Sequence, residues 1–110
     1  MRGDRSTQAM QKKWGAFCEI FGATPRNRTL EFFLEMRGLD YTIGDIAKET
    51  GMNRATTYNT MEELIREEFI KPTRKVSGGQ LYTLNLEKKE VKKLVEVFNK
   101  VLNKIVKNYK

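Results

Sequence analysis

The sequence predicts a mainly α chain of the α+β kind, with one small β element set among helices. Three observations carry that reading. Apolar residues recur at three- and four-residue steps through most of the chain. From Phe69 to Leu84 the pattern changes to extended, alternating residues around Ser77-Gly78-Gly79. Over residues 87–110 apolar positions repeat every seven, as in a long packed helix. The 110 residues suit one hydrophobic core and not two.

Composition narrows the class. With 39% hydrophobic and 32% charged residues, the chain reads as soluble and folded, not disordered. No apolar run approaches the ~20 residues of a membrane span, and no signal-peptide pattern opens the sequence. A lone Cys18 and the absence of His leave no internal disulfide and no Cys/His metal cluster. A cytoplasmic protein without metal, cofactor or membrane partner is expected, and Cys18 reads as a small buried hydrophobe. With no His, no phosphate loop, no paired-carboxylate cleft and no activated nucleophile, an enzyme is not expected.

Along the chain, a first helix is expected from about Ser6, with Met10, Trp14, Phe17, Cys18 and Phe21 on one stripe and Gly22 as its stop. Thr24-Pro25 opens the second helix: Thr24 caps it, and Pro25 stands where its missing N–H costs nothing. Arg26 and Arg28 fill its first turn, unfavourably for the helix dipole, as ordinary surface charge or as groups aimed at a DNA phosphate. Leu30, Phe32, Phe33, Leu34 and Met36 make this helix the centre of the core. Gly38 ends it, and Tyr41 leads onward as an expected edge strand of one or two residues.

The stretch Thr42–Ile70 organises the rest. Thr42 is an N-cap with Asp45 placed to reach back, and Ile43, Ile46 and Ala47 share a face. Gly51 supplies the positive φ that reverses the chain, and Asn53 caps the next helix. The buried stripe of that helix is Thr57, Thr60, Met61, Leu64 and Ile65. This is a helix-turn-helix whose second helix exposes Arg54, Thr56, Tyr58 and Asn59, hydrogen-bonding groups suited to base edges and phosphates. Phe69–Val76 follows as an extended segment that Pro72 confines to a strand start or sheet edge. The glycine turn and Gln80–Leu84 complete a hairpin with Arg74 and Lys75 near its tip. Helix, helix, helix and basic hairpin make a winged helix.

Asn85 can cap a last helix running from about Leu86 to Asn108. Val91, Phe98 and Ile105 form one seven-residue row, Leu94 and Val101 a second, and Val95, Leu102 and Tyr109 a third. At ~1.5 Å per residue it exceeds 30 Å, longer than this core needs, so a coiled-coil-like homodimer seam is expected. The expected dimer interface comprises Trp14, Phe17, Val91, Leu94, Val95, Phe98, Val101, Leu102 and Ile105. The chain thus divides into an N-terminal helix (1–23), a winged helix-turn-helix (24–86) and a dimerisation helix (87–110).

The segment Asp45–Asn85, DIAKETGMNRATTYNTMEELIREEFIKPTRKVSGGQLYTLN, resembles archaeal and bacterial winged-helix transcription regulators. The nearest likeness is to the MarR-like and TrmB-like groups and to short archaeal winged-helix proteins. Ala47, Gly51, Asn53-Arg54 and Leu64 stand where such families place their helix-turn-helix pattern, and the likeness of residues 57–60 implies that Tyr58 and Asn59 face DNA. Two departures stand out: Thr57 replaces the usual Val or Ile, and Glu68 stands where Gly often closes the helix before the wing.

The net charge of +7 is uneven: +4 over residues 1–30, −5 over 31–70, +3 over 71–86 and +5 over 87–110. A DNA face must therefore be assembled from parts that flank an acidic middle. The expected function is that of a homodimeric, sequence-specific regulator of double-stranded DNA, its reading helix in the major groove and its wing at the minor groove. The expected contacts are Arg26, Arg28, Thr42, Asn53, Arg54, Thr56, Tyr58, Asn59, Arg74, Lys75, Ser77, Gly78, Gly79 and Gln80. The alternative is a winged-helix module that docks proteins of the transcription or replication machinery, an idea the acidic residues of the helix-turn-helix keep open.

Overall fold

The computed structural model describes residues 14–108, with side chains described from 14 to 102. Five helices and one hairpin follow in the order α1 (Ala16–Phe21), α2 (Pro25–Glu35), α3 (Ile43–Thr50), α4 (Arg54–Arg66), β1 (Ile70–Val76), β2 (Gly79–Leu84) and α5 (Lys89–Asn108). One apolar cluster joins them all: Phe17 and Cys18 from α1, Phe33 and Leu34 from α2, Ile46 from α3, Met61 and Leu64 from α4, Ile70 and Leu84 from the hairpin, Val91 and Phe98 from α5.

The first helix differs from expectation. Trp14 and Gly15 precede α1 and are not helical, so Trp14 is not on its stripe; the expected start near Ser6 lies outside the described residues. The reason lies in α2. Glu31, 3% exposed, places its carboxylate at the α1 N-terminus, where Oε1 accepts from Gly15 N–H at 2.8 Å and Oε2 from Cys18 N–H at 3.0 Å. A charged acceptor borrowed from another helix caps α1 where Gly15 has no side chain to do so.

The helix-turn-helix forms as its caps dictate. Thr42 Oγ1 accepts from Asp45 N–H at 3.0 Å, and Asp45 Oδ2 accepts from Thr42 N–H at 3.2 Å, a complete capping box. Gly51 takes φ +77°, and its N–H returns to the Ala47 carbonyl. Asn53 Oδ1 then accepts from Thr56 N–H at 2.8 Å to start α4. The unusual Thr57 is fully buried without cost to hydrogen bonding, because its hydroxyl donates to the Asn53 carbonyl at 2.8 Å.

Beyond α4, Glu68 adopts φ +66°, the one positive φ at a non-glycine among the described residues. The strands pair antiparallel, Ile70 opposite Leu84 and Pro72 opposite Tyr82, but further out Lys75 faces Gln80. Leu81 therefore opposes both Thr73 and Arg74, a one-residue bulge in β1. Tyr41 exchanges two 2.9 Å backbone hydrogen bonds with Tyr82, adding a one-residue third strand.

The last helix begins at Lys89, three residues later than expected. Asn85 caps a turn instead: its Oδ1 accepts from Glu87 N–H at 3.3 Å, and its carbonyl accepts from Lys88 N–H. At ~1.5 Å per residue, the 20 residues of α5 span about 30 Å.

Candidate nucleic-acid interface

The residues proposed for DNA contact divide into three groups by what surrounds them. Six of them, Thr42, Arg54, Tyr58, Gly78, Gly79 and Gln80, line one open cleft of ≈ 180 Å³ between the start of α3, the start of α4 and the hairpin tip. Ile43, Gly44 and Tyr82 complete its walls. Arg54 and Tyr58 are one turn apart on α4, so they present a common face, with Tyr58 51% exposed and Asn59 beside it. The Arg54 guanidinium lies against the first turn of α3, where a Cβ on Gly44 would sit 3.6 Å from Nη1. Two sources of positive potential, the α3 N-terminus and Arg54, thus meet in a cleft with hydroxyl and amide groups at its rim.

A second group sits nearby with structural duties or open to solvent. Asn53 is committed to capping α4, and Thr56 supplies the amide that it caps. Lys75 and Ser77 are exposed on the hairpin.

The third group, three arginines, is engaged by partners within the protein. Arg26 pairs with Glu63 on α4 and with Glu67 at that helix's C-cap, and lies over the Phe69 ring. Those acids lie at the C-terminal end of α4, away from the cleft, and they draw Arg26 with them. Arg28 donates to the Thr50 carbonyl and stacks on Trp14. Neither arginine is the free first-turn cation that the sequence suggested. Arg74, though mostly exposed, is held by the protein itself: its Nε donates to Asp40 Oδ2 at 3.0 Å and its Nη2 to Oδ1 at 3.3 Å. This fork, with Thr73 as a further donor, holds the Asp40 carboxyl down at about 2.

The expected dimer residues are also divided. Phe17, Val91 and Phe98 are buried in the protomer's own core, with the Phe17 and Phe98 rings 6.4 Å apart. Trp14, Leu94, Val95 and Val101 are half-buried, Leu102 is exposed, and the Ile105 side chain lies outside the described ones. Phe17, Phe21, Leu94 and Val97 border an apolar groove of ≈ 400 Å³ between α1 and α5. Beside it Ile20 and Phe21 stand more than half exposed.

Sequence reasoning missed Gly44, Asp40 and Thr73. A glycine in the first turn of a well-capped helix was the available signal for Gly44, since Gly disfavours a helix and is used where something must approach closely. No local signal marks Asp40, whose partners are more than thirty residues away.

Comparison with known proteins fits this geometry. The IclR helix-turn-helix domain matches residues 29–74. No curated protein matches the chain. Among solved structures, a MarR family transcriptional regulator from Silicibacter pomeroyi is 20% identical, with a TM-score of 0.57 over 94% of this chain and 66% of that one. A variant of S. aureus MepR bound to an oligodeoxyribonucleotide is 20% identical, with a TM-score of 0.59 over 94% of this chain and 75% of that one. Reduced HlyU from Vibrio cholerae is 14% identical, with a TM-score of 0.57 over 91% of this chain and 94% of that one. Such likenesses speak for the fold, and the fold they share with this chain is the MarR-like winged helix-turn-helix.

Proposed function

We propose that the protein is a transcription regulator that binds double-stranded DNA sequence-specifically as a homodimer. The observation that carries this is the convergence of Arg54, Tyr58 and the hairpin tip on one open cleft beside the capped α3 N-terminus. A helix presenting exposed Arg, Tyr and Asn in its first two turns can enter a major groove, while a basic hairpin lies over the adjacent minor groove. The solved MepR complex with an oligodeoxyribonucleotide supports the reading by likeness of fold.

Support for the dimer comes from α1 and α5. The apolar groove between them, with exposed Ile20, Phe21, Val97 and Leu102 nearby, is surface that a second copy would cover. In a two-fold dimer the reading helices address half-sites about 34–36 Å apart.

The test is titration of duplex DNA at two salt concentrations, using random duplex and the protein's own upstream region. Tight, salt-sensitive binding with preference for the upstream DNA supports the regulator. Absence of binding at low salt removes it in favour of a protein-docking module, which the exposed acids Glu62, Glu63, Glu67 and Glu68 would serve.

A further inference from the structure

In a regular strand, neighbouring side chains point to opposite faces. Thr73 and Arg74 are neighbours, yet both reach Asp40: Thr73 Oγ1 donates to Oδ2 at 2.7 Å, and Arg74 grips both carboxylate oxygens. The bulge opposite Leu81 makes this possible by turning two consecutive residues toward one side. Asp40 is itself fixed to the hairpin on both flanks. The carbonyl of Leu39 accepts from Thr83 Oγ1 at 2.8 Å, and Tyr41 pairs with Tyr82. The result is a guanidinium held in one orientation, its side chain still 66% exposed, against a carboxylate only 20% exposed.

An exposed ion pair contributes little to stability, so the fold alone gives small return for a bulge and three hydrogen bonds. For binding the consequences are larger. Asp40 cancels the charge that would draw Arg74 to any phosphate, and it aims the uncommitted N–H edge of the fork outward. From this geometry we infer that Asp40 is a positioning residue for the wing: it converts Arg74 from a general phosphate attractor into an oriented probe of the minor groove. The inference rests on the DNA-binding reading above. It assigns Arg74 to discrimination by groove width, for which a narrow A·T-rich minor groove is the favoured partner, and leaves general attraction to Lys75.

The experiment compares the wild-type protein with Asp40→Asn and Arg74→Lys on two duplexes of equal length, one containing an A-tract and one G·C-rich, across a salt series. Asp40→Asn is isosteric and keeps Thr73 a partner. Wild type is expected to prefer the A-tract duplex. Asp40→Asn is expected to bind both duplexes more tightly, to steepen the log–log salt dependence by about 1, and to lose preference. Arg74→Lys keeps the charge but not the fork, and is expected to lose preference without that steepening. A preference unchanged in Asp40→Asn, equal weakening on both duplexes, or no wild-type preference overturns the inference while leaving DNA binding intact. A wild-type protein that binds neither duplex overturns the DNA-binding reading, and the inference with it.

Discussion

Asn85 Nδ2 donates to the Glu68 carbonyl at 2.9 Å, while the Asn85 amide donates to the Phe69 carbonyl at the same distance. One residue after β2 thus closes the turn that leads from α4 into β1. Glu68 sits there at φ +66°, where a side chain costs energy and Gly does not. Glu68→Gly is therefore expected to stabilise the protein by about 1 kcal/mol, and Asn85→Ala to destabilise it by ~0.5–1.5 kcal/mol through the lost side-chain hydrogen bond. Urea denaturation of the two variants measures both.

Gly44 is placed inside α3, and a Cβ there meets Arg54 only at ordinary contact distance. Gly44→Ala is expected to raise stability by ~0.5–1 kcal/mol, from helix propensity. The same methyl group enters the cleft, so DNA affinity is expected to fall as the melting temperature rises. Melting curves and DNA titrations moving in the same direction would show that the cleft floor has no part in binding.

Tyr58→Phe removes one exposed hydroxyl from the face of α4. If it reads a base, discrimination at one position falls by ~1–3 kcal/mol. Lys75→Ala, by contrast, is expected to weaken binding to all sequences alike and to reduce the salt slope by about 1. Arg26→Ala is expected to leave that slope unchanged and to cost less than about 1 kcal/mol of stability, since its partners are exposed acids at the C-terminal end of α4.

Burial, reinforced by the neighbouring Glu31 carboxylate, pushes the Cys18 thiol up to about 12. Thiolate is then scarce at neutral pH, and alkylation of Cys18 is expected to proceed only through opening of α1. Removing the cap by Glu31→Ala strands two backbone N–H groups, is expected to cost ~1–3 kcal/mol, and should speed alkylation markedly. Timed labelling followed by mass measurement reads both effects.

Glu35 behaves in the opposite sense to a paired acid: burial and repulsion from Glu31 raise its pKa above the ordinary carboxylate value. Between its unfolded and folded pKa the native state holds the extra proton, so its contribution to stability falls as pH rises through that window. Glu35→Gln is expected to be more stable than wild type at neutral pH, with the difference shrinking at acid pH. Denaturation at a series of pH values tests the sign.

The helix-turn-helix was legible in the sequence because its determinants are local. Thr42, Asp45, Gly51 and Asn53 each act within four residues, and every one stands as its chemistry requires. The hairpin was legible for the same reason, whereas the partner of Tyr41, Tyr82, lies far along the chain and carried no local signal. The errors have a common cause in partners distant along the chain. Arg26 was read against its own helix dipole, whereas Glu63 and Glu67 decide where it goes. Trp14 was read as helical because the apolar spacing ran on through Gly15, and only Glu31 shows where α1 begins. Phe17 and Phe98 looked spare for one protomer until α1 was laid across α5.

The bridge between Tyr41 and Tyr82 reaches further than its two hydrogen bonds. It ties the root of the hairpin to the residue directly before the α3 cap, leaving only the outer part, from Lys75 to Gln80, free of that tether. The start of α3 and the root of the hairpin are therefore two arms of one frame, their separation set by backbone bonds that no side-chain substitution removes. On the proposed DNA-binding reading, a duplex would meet a spacing already set, and only the hairpin tip would be left to adjust to it.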